Sequence, residues 1–139
     1  MNKVLRYSLI FVFLVSFFNC KKSNETVPNV YVDLYVYTTD PAFSPLNAIG
    51  GYQYFNGGSN GLVVYRKSQN EFMAYDRHCT YKVADKNQVA VDNSGLIAVD
   101  SKCGSKFLLT DGSPSSGSAS VPLKRYQTSF DGSVLHIYN

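Results

Sequence analysis

Apolar and polar residues alternate along this chain with a period of two, and helical periodicity is nearly absent. The clearest case is residues 30–37, VYVDLYVY, where valine and leucine alternate with tyrosine and aspartate. Such alternation is typical of a β-strand with two different faces. Further short runs that predict strands lie at residues 52–55, 62–67, 72–75, 88–91, 96–99, 106–109, 123–130 and 134–138.

Turn-forming residues cluster between these runs. Asn-Gly or Asp-Gly pairs, which supply the positive φ of tight hairpin turns, occur at 56–57, 60–61, 111–112 and 131–132. Asp131-Gly132, between two alternating runs, is the clearest hairpin. Many short strands at regular spacing predict an all-β fold, either a sandwich or a partly closed barrel. The Ser/Gly-rich segment 113–120 is predicted to be a mobile loop.

The N-terminus differs from the rest of the chain. Lys3 and Arg6 precede an apolar run at residues 9–18, and Cys20 follows it closely. A basic start and about ten apolar residues are typical of a secretory signal, whereas a membrane span needs about twenty. The ending resembles a bacterial lipobox of the loose kind found in Bacteroidetes, with Asn19 replacing the usual small residue. An uncleaved anchor with a buried Cys20 is the alternative.

The resulting division of the chain is a signal peptide at 1–19, a lipidated Cys20 with a polar tether at 20–28, and one β domain at 29–139. We therefore expect a cell-envelope protein held at a membrane by lipid on Cys20, facing either the periplasm or the cell surface. Without Lys3 and Arg6 the formal charge falls from +3 to +1. No basic patch predicts nucleic-acid binding.

Two segments of the β domain resemble a known pair of loops. Residues 79–81 read Cys-Thr-Tyr, and residues 100–104 read Asp-Ser-Lys-Cys-Gly. They are similar to the loops C-x-H and C-x-x-H-G of Rieske proteins, each of which offers one Cys and one His to a [2Fe–2S] cluster. Cys79 keeps the expected residue type. Tyr81 and Cys103 stand where histidines are expected, and Asp100 stands where a cysteine is expected.

The resemblance extends from about Pro45 to Tyr138. It includes Gly-Ser-Lys-Phe at 104–107, Asp-Gly at 111–112, Gly-Ser-Ala at 117–119, Pro-Leu-Lys-Arg-Tyr at 122–126 and the closing hairpin. Ser118 stands where the loop that covers the cluster has a proline. The resemblance implies a Rieske-like β domain with a small subdomain in which two hairpin loops face each other.

A degenerate ligand set changes the expected chemistry. Cys79, Tyr81, Asp100 and Cys103 would offer two thiolates, a phenol and a carboxylate. Tyrosine ionises near pH 10 and aspartate is a hard oxygen donor, so these four residues suit iron–sulfide poorly. The signal also lacks the Arg-Arg pair of the twin-arginine route, by which Rieske proteins typically cross the membrane folded. We therefore expect no cofactor, with a [2Fe–2S] cluster as the alternative.

A single metal ion is a second possibility, held by Cys79, Cys103 and either His78 or His136. No C-x-x-C or H-x-x-x-H spacing supports zinc. Adjacent residues such as His78 and Cys79 point apart in an extended loop. His136, on the same strand face as Val134 and Tyr138, is expected to be a packed or edge histidine.

The third possibility follows from the resemblance. If the two loops meet as they do in Rieske proteins, Cys79 and Cys103 face each other across the altered site. In an oxidising compartment they would then form a disulfide. We expect this bridge to be structural, because nothing beside it resembles a redox-active C-x-x-C motif.

These observations predict a non-catalytic binding or structural module. No G-x-S-x-G motif, phosphate loop or carboxylate pair indicates an enzyme. Tyr31, Tyr35 and Tyr37 share one strand face and would suit contact with an envelope partner, although tyrosine is also an ordinary strand residue. The alternative function is Rieske-type electron transfer through the altered ligands.

Overall fold

The computed structural model describes residues 25–139, which form ten strands and two short 3-10 helices. The 3-10 helices span Pro41–Asn47 and Val83–Asp85. No helix within residues 25–139 is long and apolar enough to cross a membrane. The strands are β1 Asp33–Tyr37, β2 Tyr52–Phe55, β3 Leu62–Arg66, β4 Phe72–Asp76, β5 Ala90–Val91, β6 Ile97–Val99, β7 Lys106–Leu108, β8 Pro114–Ser116, β9 Arg125–Phe130 and β10 Val134–Tyr138.

Six strands form the larger sheet, in the order β1-β10-β9-β4-β3-β2 with every neighbour antiparallel. The predicted hairpin joins β9 to β10. There Asp131 Oδ1 accepts hydrogen bonds from the N–H groups of Ser133 and Val134, at 2.9 and 2.7 Å. Gly132 supplies the positive φ of 104°. The sequence therefore predicted this turn correctly.

Strand β9 pairs with two partners in succession. Its first residues, Arg125 and Tyr126, pair with β4, and residues 127–130 pair with β10. The larger sheet therefore consists of two parts that share one strand. The predicted class, an all-β fold of antiparallel sheets, is confirmed.

Four strands, β5-β6-β7-β8, form the smaller sheet. Its outer strand, Pro114–Ser116, lies inside the segment that the sequence predicted to be a mobile loop, so that prediction was wrong there. Serine and proline have low strand propensity. An edge strand tolerates proline because one side of its backbone needs no partner. The pairing register of β7 with β8 also shifts between Lys106 and Phe107, so this strand has no regular alternation of apolar and polar residues.

Strands β3 and β4 are buried on both faces. One face contributes Leu62, Val64 and Phe72 to a core that also contains residues of β1 and β10. The other face contributes Val63, Met73 and Tyr75 to a second core. That second core contains Ala98 of β6, Phe107 of β7 and also Cys79, so it joins the smaller sheet to the larger one. Burial on both faces explains why these strands read as continuous apolar runs.

Candidate functional site

The first loop of the site begins where β4 ends. Asp76, the last residue of β4, is fully buried, and its Oδ1 accepts a hydrogen bond from the N–H of His78 at 2.9 Å. Cys79 then donates its N–H to the carbonyl of Asn87 at 2.9 Å, which closes the loop across its base. Between these residues the chain makes the 3-10 turn Val83–Asp85. This frame directs Cys79 into the second core, where it is fully buried.

The second loop connects β6 to β7 and is a tight turn centred on Asp100. The N–H of Asp100 donates to the carbonyl of Ser105 at 2.9 Å, and Gly104 donates back to the Asp100 carbonyl at 2.8 Å. The carboxylate also organises the turn, because its Oδ1 accepts from the N–H of Lys102 at 2.8 Å. Asp100 and Ser105 are both fully buried, whereas Cys103 is half-buried.

Residues 117–121, which we call the covering segment, contact both loops. Ala119 donates its N–H to Oγ of Ser105 at 3.0 Å. Thr80 donates its hydroxyl to the carbonyl of Val121 at 2.6 Å. A Cβ atom at Gly117 would lie 2.5 Å from Cα of Ser105, so only glycine permits this close approach.

The two loops bring Cys79 and Cys103 together. Their Sγ atoms are 3.9 Å apart, and Sγ of Cys103 lies 3.1 Å from Oδ2 of Asp100 and 3.0 Å from Oγ of Ser105. The ligand-type atoms of Cys79, Asp100 and Cys103 all lie within 4.8 Å of one another. Three of the four positions that match the Rieske ligands therefore form one compact group.

The surroundings favour a neutral Cys79 and an ionised Asp100. Burial, together with the hydrogen bond to Asp100, raises the pKa of the Cys79 thiol to about 12. Burial alone would raise the pKa of Asp100, but hydrogen bonds from both thiols and from the Lys102 and Cys103 N–H groups outweigh it and lower that pKa. A buried carboxylate that accepts this many hydrogen bonds keeps its charge.

Tyr81, the fourth matched position, has a packing role. Its half-buried ring packs against the second core, and Nζ of Lys82 lies 5.5 Å from the ring centroid. The backbone N–H of Tyr81 donates to the sulfur of Cys79 and partly offsets the rise in that thiol's pKa.

The two histidines lie apart from the cysteines. Nδ1 of His78 is 2.8 Å from Oγ of Ser59, and Nε2 is 2.8 Å from the carbonyl of Val83. Both ring nitrogens of this buried side chain are thus engaged elsewhere. Among the described residues, the group of ligand-type atoms around the two cysteines contains Asp100 and neither histidine.

His136 is on the outer face of β10, which pairs with β1 on one side and β9 on the other, so this histidine is packed on the sheet surface and does not lie at an edge. Its ring stacks between Tyr35 and Tyr138, with centroid distances of 4.1 and 4.5 Å. Nε2 lies 2.7 Å from Oδ1 of Asp33. It belongs to the surface of the larger sheet and contributes nothing to the cysteine site.

The donor set does not fit a [2Fe–2S] cluster. Such a cluster needs four protein ligands and space for two irons and two sulfides between the loops. At 3.9 Å the two sulfurs are close to van der Waals contact, which leaves no such space. The third donor, Asp100, is a hard oxygen ligand that suits iron–sulfide poorly.

Two contributors to the site were missed in the sequence, Ser105 and Asp76. Ser105 contacts Cys103 and receives the covering segment through one oxygen atom. Asp76 accepts hydrogen bonds from the N–H groups of Ser59 and Asn60, at 2.6 and 3.1 Å, as well as from His78. The sequence could have indicated a role for Asp76, because it is a charged residue at the end of an otherwise apolar run.

The predicted signal peptide at 1–19 and Cys20 lie outside the described residues, as do residues 21–24 of the tether. The remainder of the tether is described. Glu25 Oε2 accepts a hydrogen bond from the N–H of Ala84 at 3.3 Å. Lys124 donates to the carbonyl of Pro28 at 2.8 Å. The chain that leads to the β domain therefore runs beside the first loop.

Comparison with known proteins gives likenesses among solved structures, but none among family models or curated proteins. Among solved structures, the chain is similar to the ferredoxin of carbazole 1,9a-dioxygenase from Nocardioides aromaticivorans IC177. The identity is 15% and the TM-score is 0.48, over 65% of this chain and 86% of that chain.

Proposed function

We propose that this protein is a cell-envelope lipoprotein with a Rieske-like β domain in which a Cys79–Cys103 disulfide takes the place of an iron–sulfur cluster. The domain acts as a non-catalytic binding or structural module. It is anchored through lipid on Cys20 and presents its β domain outside the cytoplasm. The approach of the two sulfurs to 3.9 Å across two facing loops carries the proposal.

A bridge would stabilise both loops at once. The two cysteines are 24 residues apart in sequence, and closing a loop of this length contributes about 3.5 kcal/mol on the chain-entropy model. An S–S bond is about 2.05 Å long, so the sulfurs would have to approach by about 1.9 Å. Asp100 accepts a hydrogen bond from the Lys102 N–H, and Ser105 accepts one from the Ala119 N–H of the covering segment. Neither bond involves a sulfur, so both remain when the bridge closes.

A non-catalytic role agrees with the surroundings of Ser59 and His78, the pair that comes nearest to a nucleophile and base. Ser59 Oγ lies 2.8 Å from Nδ1 of His78, and the Val83 carbonyl orients the other ring nitrogen. Acyl transfer also needs free N–H donors for an oxyanion. The nearby N–H groups of Ser59 and Asn60 are already bonded to Asp76, so no oxyanion site is available there.

The outer face of β1 and β10 suits a binding role. Tyr31, Tyr35 and Tyr37 are 76%, 56% and 60% exposed. The His136 ring stacks on Tyr35 and on Tyr138, with the planes at 5° and 24°. This stacking covers the faces of His136 and one face of each tyrosine, while the tyrosine edges and hydroxyls stay accessible. That geometry favours hydrogen bonding to a protein partner over stacking on a sugar.

Thermal unfolding of the full chain in detergent, with and without a thiol reductant, tests the bridge. The oxidised wild type is expected to be about 3.5 kcal/mol more stable than the reduced form. The Cys79→Ser and Cys103→Ser variants should both lose this dependence on reductant, while a Cys20→Ser variant should keep it. A wild type that melts at the same temperature under both conditions contradicts the proposal.

Visible absorption separates the proposal from electron transfer. A structural bridge leaves the protein colourless as purified from the envelope. Brown protein with iron and acid-labile sulfide would instead establish a redox centre on Cys79, Asp100 and Cys103.

A further inference from the structure

The spacing of the two sulfurs matches two thiolates on one metal ion. Zinc–sulfur bonds are about 2.3 Å long, so two sulfurs at adjacent corners of a zinc tetrahedron are about 3.8 Å apart. Sγ of Cys79 and Sγ of Cys103 are 3.9 Å apart. No rearrangement of the loops is needed to bring the two sulfurs to the zinc spacing, whereas the disulfide requires a closer approach.

Asp100 offers a third donor beside the sulfurs. Its Oδ2 lies 3.1 Å from Sγ of Cys103, and the three ligand atoms fit within 4.8 Å of one another. The N–H of Lys102 holds the other carboxylate oxygen at 2.8 Å, so the carboxylate is already oriented towards the sulfurs. A ligand whose orientation is fixed in advance loses little conformational entropy when it binds.

We propose that the reduced site binds one zinc ion through Cys79 Sγ, Cys103 Sγ and the Asp100 carboxylate, with the fourth position open to solvent at the half-buried Cys103. This inference rests on the proposed function, since it describes how the same two cysteines behave when the bridge is open. The disulfide and the zinc ion exclude each other. The redox state of the two cysteines thereby controls occupancy of the site.

The charge of the buried site stays the same when the ion binds. Before binding, two neutral thiols and one carboxylate carry a charge of −1. Zinc displaces one proton from each thiol, and Zn²⁺ with two thiolates and one carboxylate again carries −1. Binding therefore releases two protons and leaves the net charge of the buried site unchanged, because the ion compensates the two new thiolates.

Neighbouring donors support the two thiolates. The hydroxyl of Ser105, 3.0 Å from Cys103 Sγ, receives the Ala119 N–H at its oxygen, so its own proton is free to donate to the sulfur. The backbone N–H of Tyr81 donates to the sulfur of Cys79. Two soft sulfurs and one carboxylate suit the borderline Zn²⁺ better than the hard ions Mg²⁺ or Ca²⁺.

The redox step exchanges electrons with a thiol–disulfide couple. Opening the bridge takes two electrons and two protons from two external thiols, which leave joined as a disulfide. Cys79 and Cys103 become thiols and bind Zn²⁺ with release of the two protons. When the ion is lost, the two thiolates take up two protons from solvent and become thiols again. Closing the bridge then transfers two electrons and two protons from these thiols to an external disulfide, which leaves as two thiols.

Titration of the detergent-solubilised full chain with Co²⁺ and then Zn²⁺ tests this inference. Co²⁺ reports thiolate coordination by near-ultraviolet charge-transfer absorption and tetrahedral geometry by its visible bands, and Zn²⁺ should displace it. The reduced chain is expected to bind one ion and release two protons, and the oxidised chain none. Binding should persist in Cys20→Ser and disappear in Cys79→Ser and Cys103→Ser.

The Asp100→Asn variant should bind Zn²⁺ about 10–100-fold more weakly, since even a supporting carboxylate contributes that much. Asp111→Asn is the matched control, because Asp111 also accepts an N–H from two residues further along but contacts no thiol. A reduced chain without charge-transfer absorption overturns the zinc site even where the bridge forms normally. A chain that binds zinc but never forms the bridge overturns the proposed function and, with it, the redox control.

Discussion

The hydroxyl of Tyr126 donates a 3.0 Å hydrogen bond to Oδ2 of Asp76, and both side chains are fully buried in the larger sheet. This bond ties β9 to the end of β4, where the chain leaves the sheet towards Cys79. Asp76 in turn holds the backbone of Ser59 and His78. The position of the first cysteine therefore depends on a polar contact inside the fold as well as on the loop itself.

Tyr126→Phe is expected to destabilise the domain by about 1.5–3 kcal/mol, the usual contribution of a hydrogen bond to a charged group. The substitution keeps the ring and removes one donor from the buried Asp76 carboxylate. Chemical denaturation followed by circular dichroism measures the change. An unaltered free energy of unfolding would show that other donors satisfy Asp76 fully.

Tyr75→Phe is the matched control, because it removes a hydroxyl from a neighbouring buried tyrosine. Among the described residues, the Tyr75 hydroxyl is buried without a hydrogen-bond partner. Removing an unpaired polar group lifts its desolvation cost, so we expect a neutral or slightly stabilising effect. Equal destabilisation by both substitutions would contradict the distinction between a paired and an unpaired hydroxyl.

Gly117→Ala tests the contact of the covering segment with the second loop. The added Cβ would lie 2.5 Å from Cα of Ser105, and φ at this position is +89°. Gly132→Ala is the control, since its φ is +104° and its Cβ would meet nothing within 4 Å. Both variants have the backbone strain of a positive φ, so only the steric overlap distinguishes them. We therefore expect Gly117→Ala to lower the free energy of unfolding by about 1–3 kcal/mol more than Gly132→Ala does. Similar melting temperatures for the two variants would argue against close packing over the site.

The pH dependence of stability should differ between the reduced and bridged forms. Hydrogen bonds from both thiols help to lower the pKa of Asp100. A lowered folded-state pKa gives stability that is present above the unfolded value, near 3.9, and is lost as the pH falls through the folded value. The bridge removes the thiol donors. Below pH 4, the free energy of unfolding should therefore fall more steeply with falling pH in the reduced form than in the bridged form. Asp100→Asn should abolish that difference.

Lipid attachment is expected at Cys20. Labelling growing cells with a fatty-acid analogue should mark the wild type and place it in the membrane fraction. Cys20→Ala should lose both the label and the membrane association, while Cys79→Ser should keep both. Membrane association of the Cys20→Ala protein without label would instead support the uncleaved anchor.

The sequence predicted the hairpin at Asp131-Gly132 because both its turn residues and its alternation are local signals. It missed β8 at Pro114–Ser116, because that strand is formed by pairing with β7 rather than by its own residue preferences. The sequence also gave no sign of the 3-10 helix Pro41–Asn47, which follows Asp40 as its N-cap and buries Leu46. Elements that are stabilised by residues distant in the sequence cannot be predicted well from a local sequence pattern.

Prediction of the site was limited in the same way. The two loops were recognised through their resemblance to the Rieske loops, and the structure brings Cys79, Asp100 and Cys103 together. The engagement of His78 with Ser59 and Val83 depends on how the loops fold and could not be read from its place beside Cys79. Ser105 likewise contributes through the covering segment, which approaches it from 14 residues further along the chain.

The state of Cys79 and Cys103 tests the central claim most directly. The full chain should be purified from the cell envelope without reductant, with free thiols blocked at lysis, and its intact mass measured before and after reduction. A closed bridge predicts a mass two hydrogens below that of the reduced chain, with no blocking group on either cysteine. Two blocked cysteines at positions 79 and 103 would contradict the account.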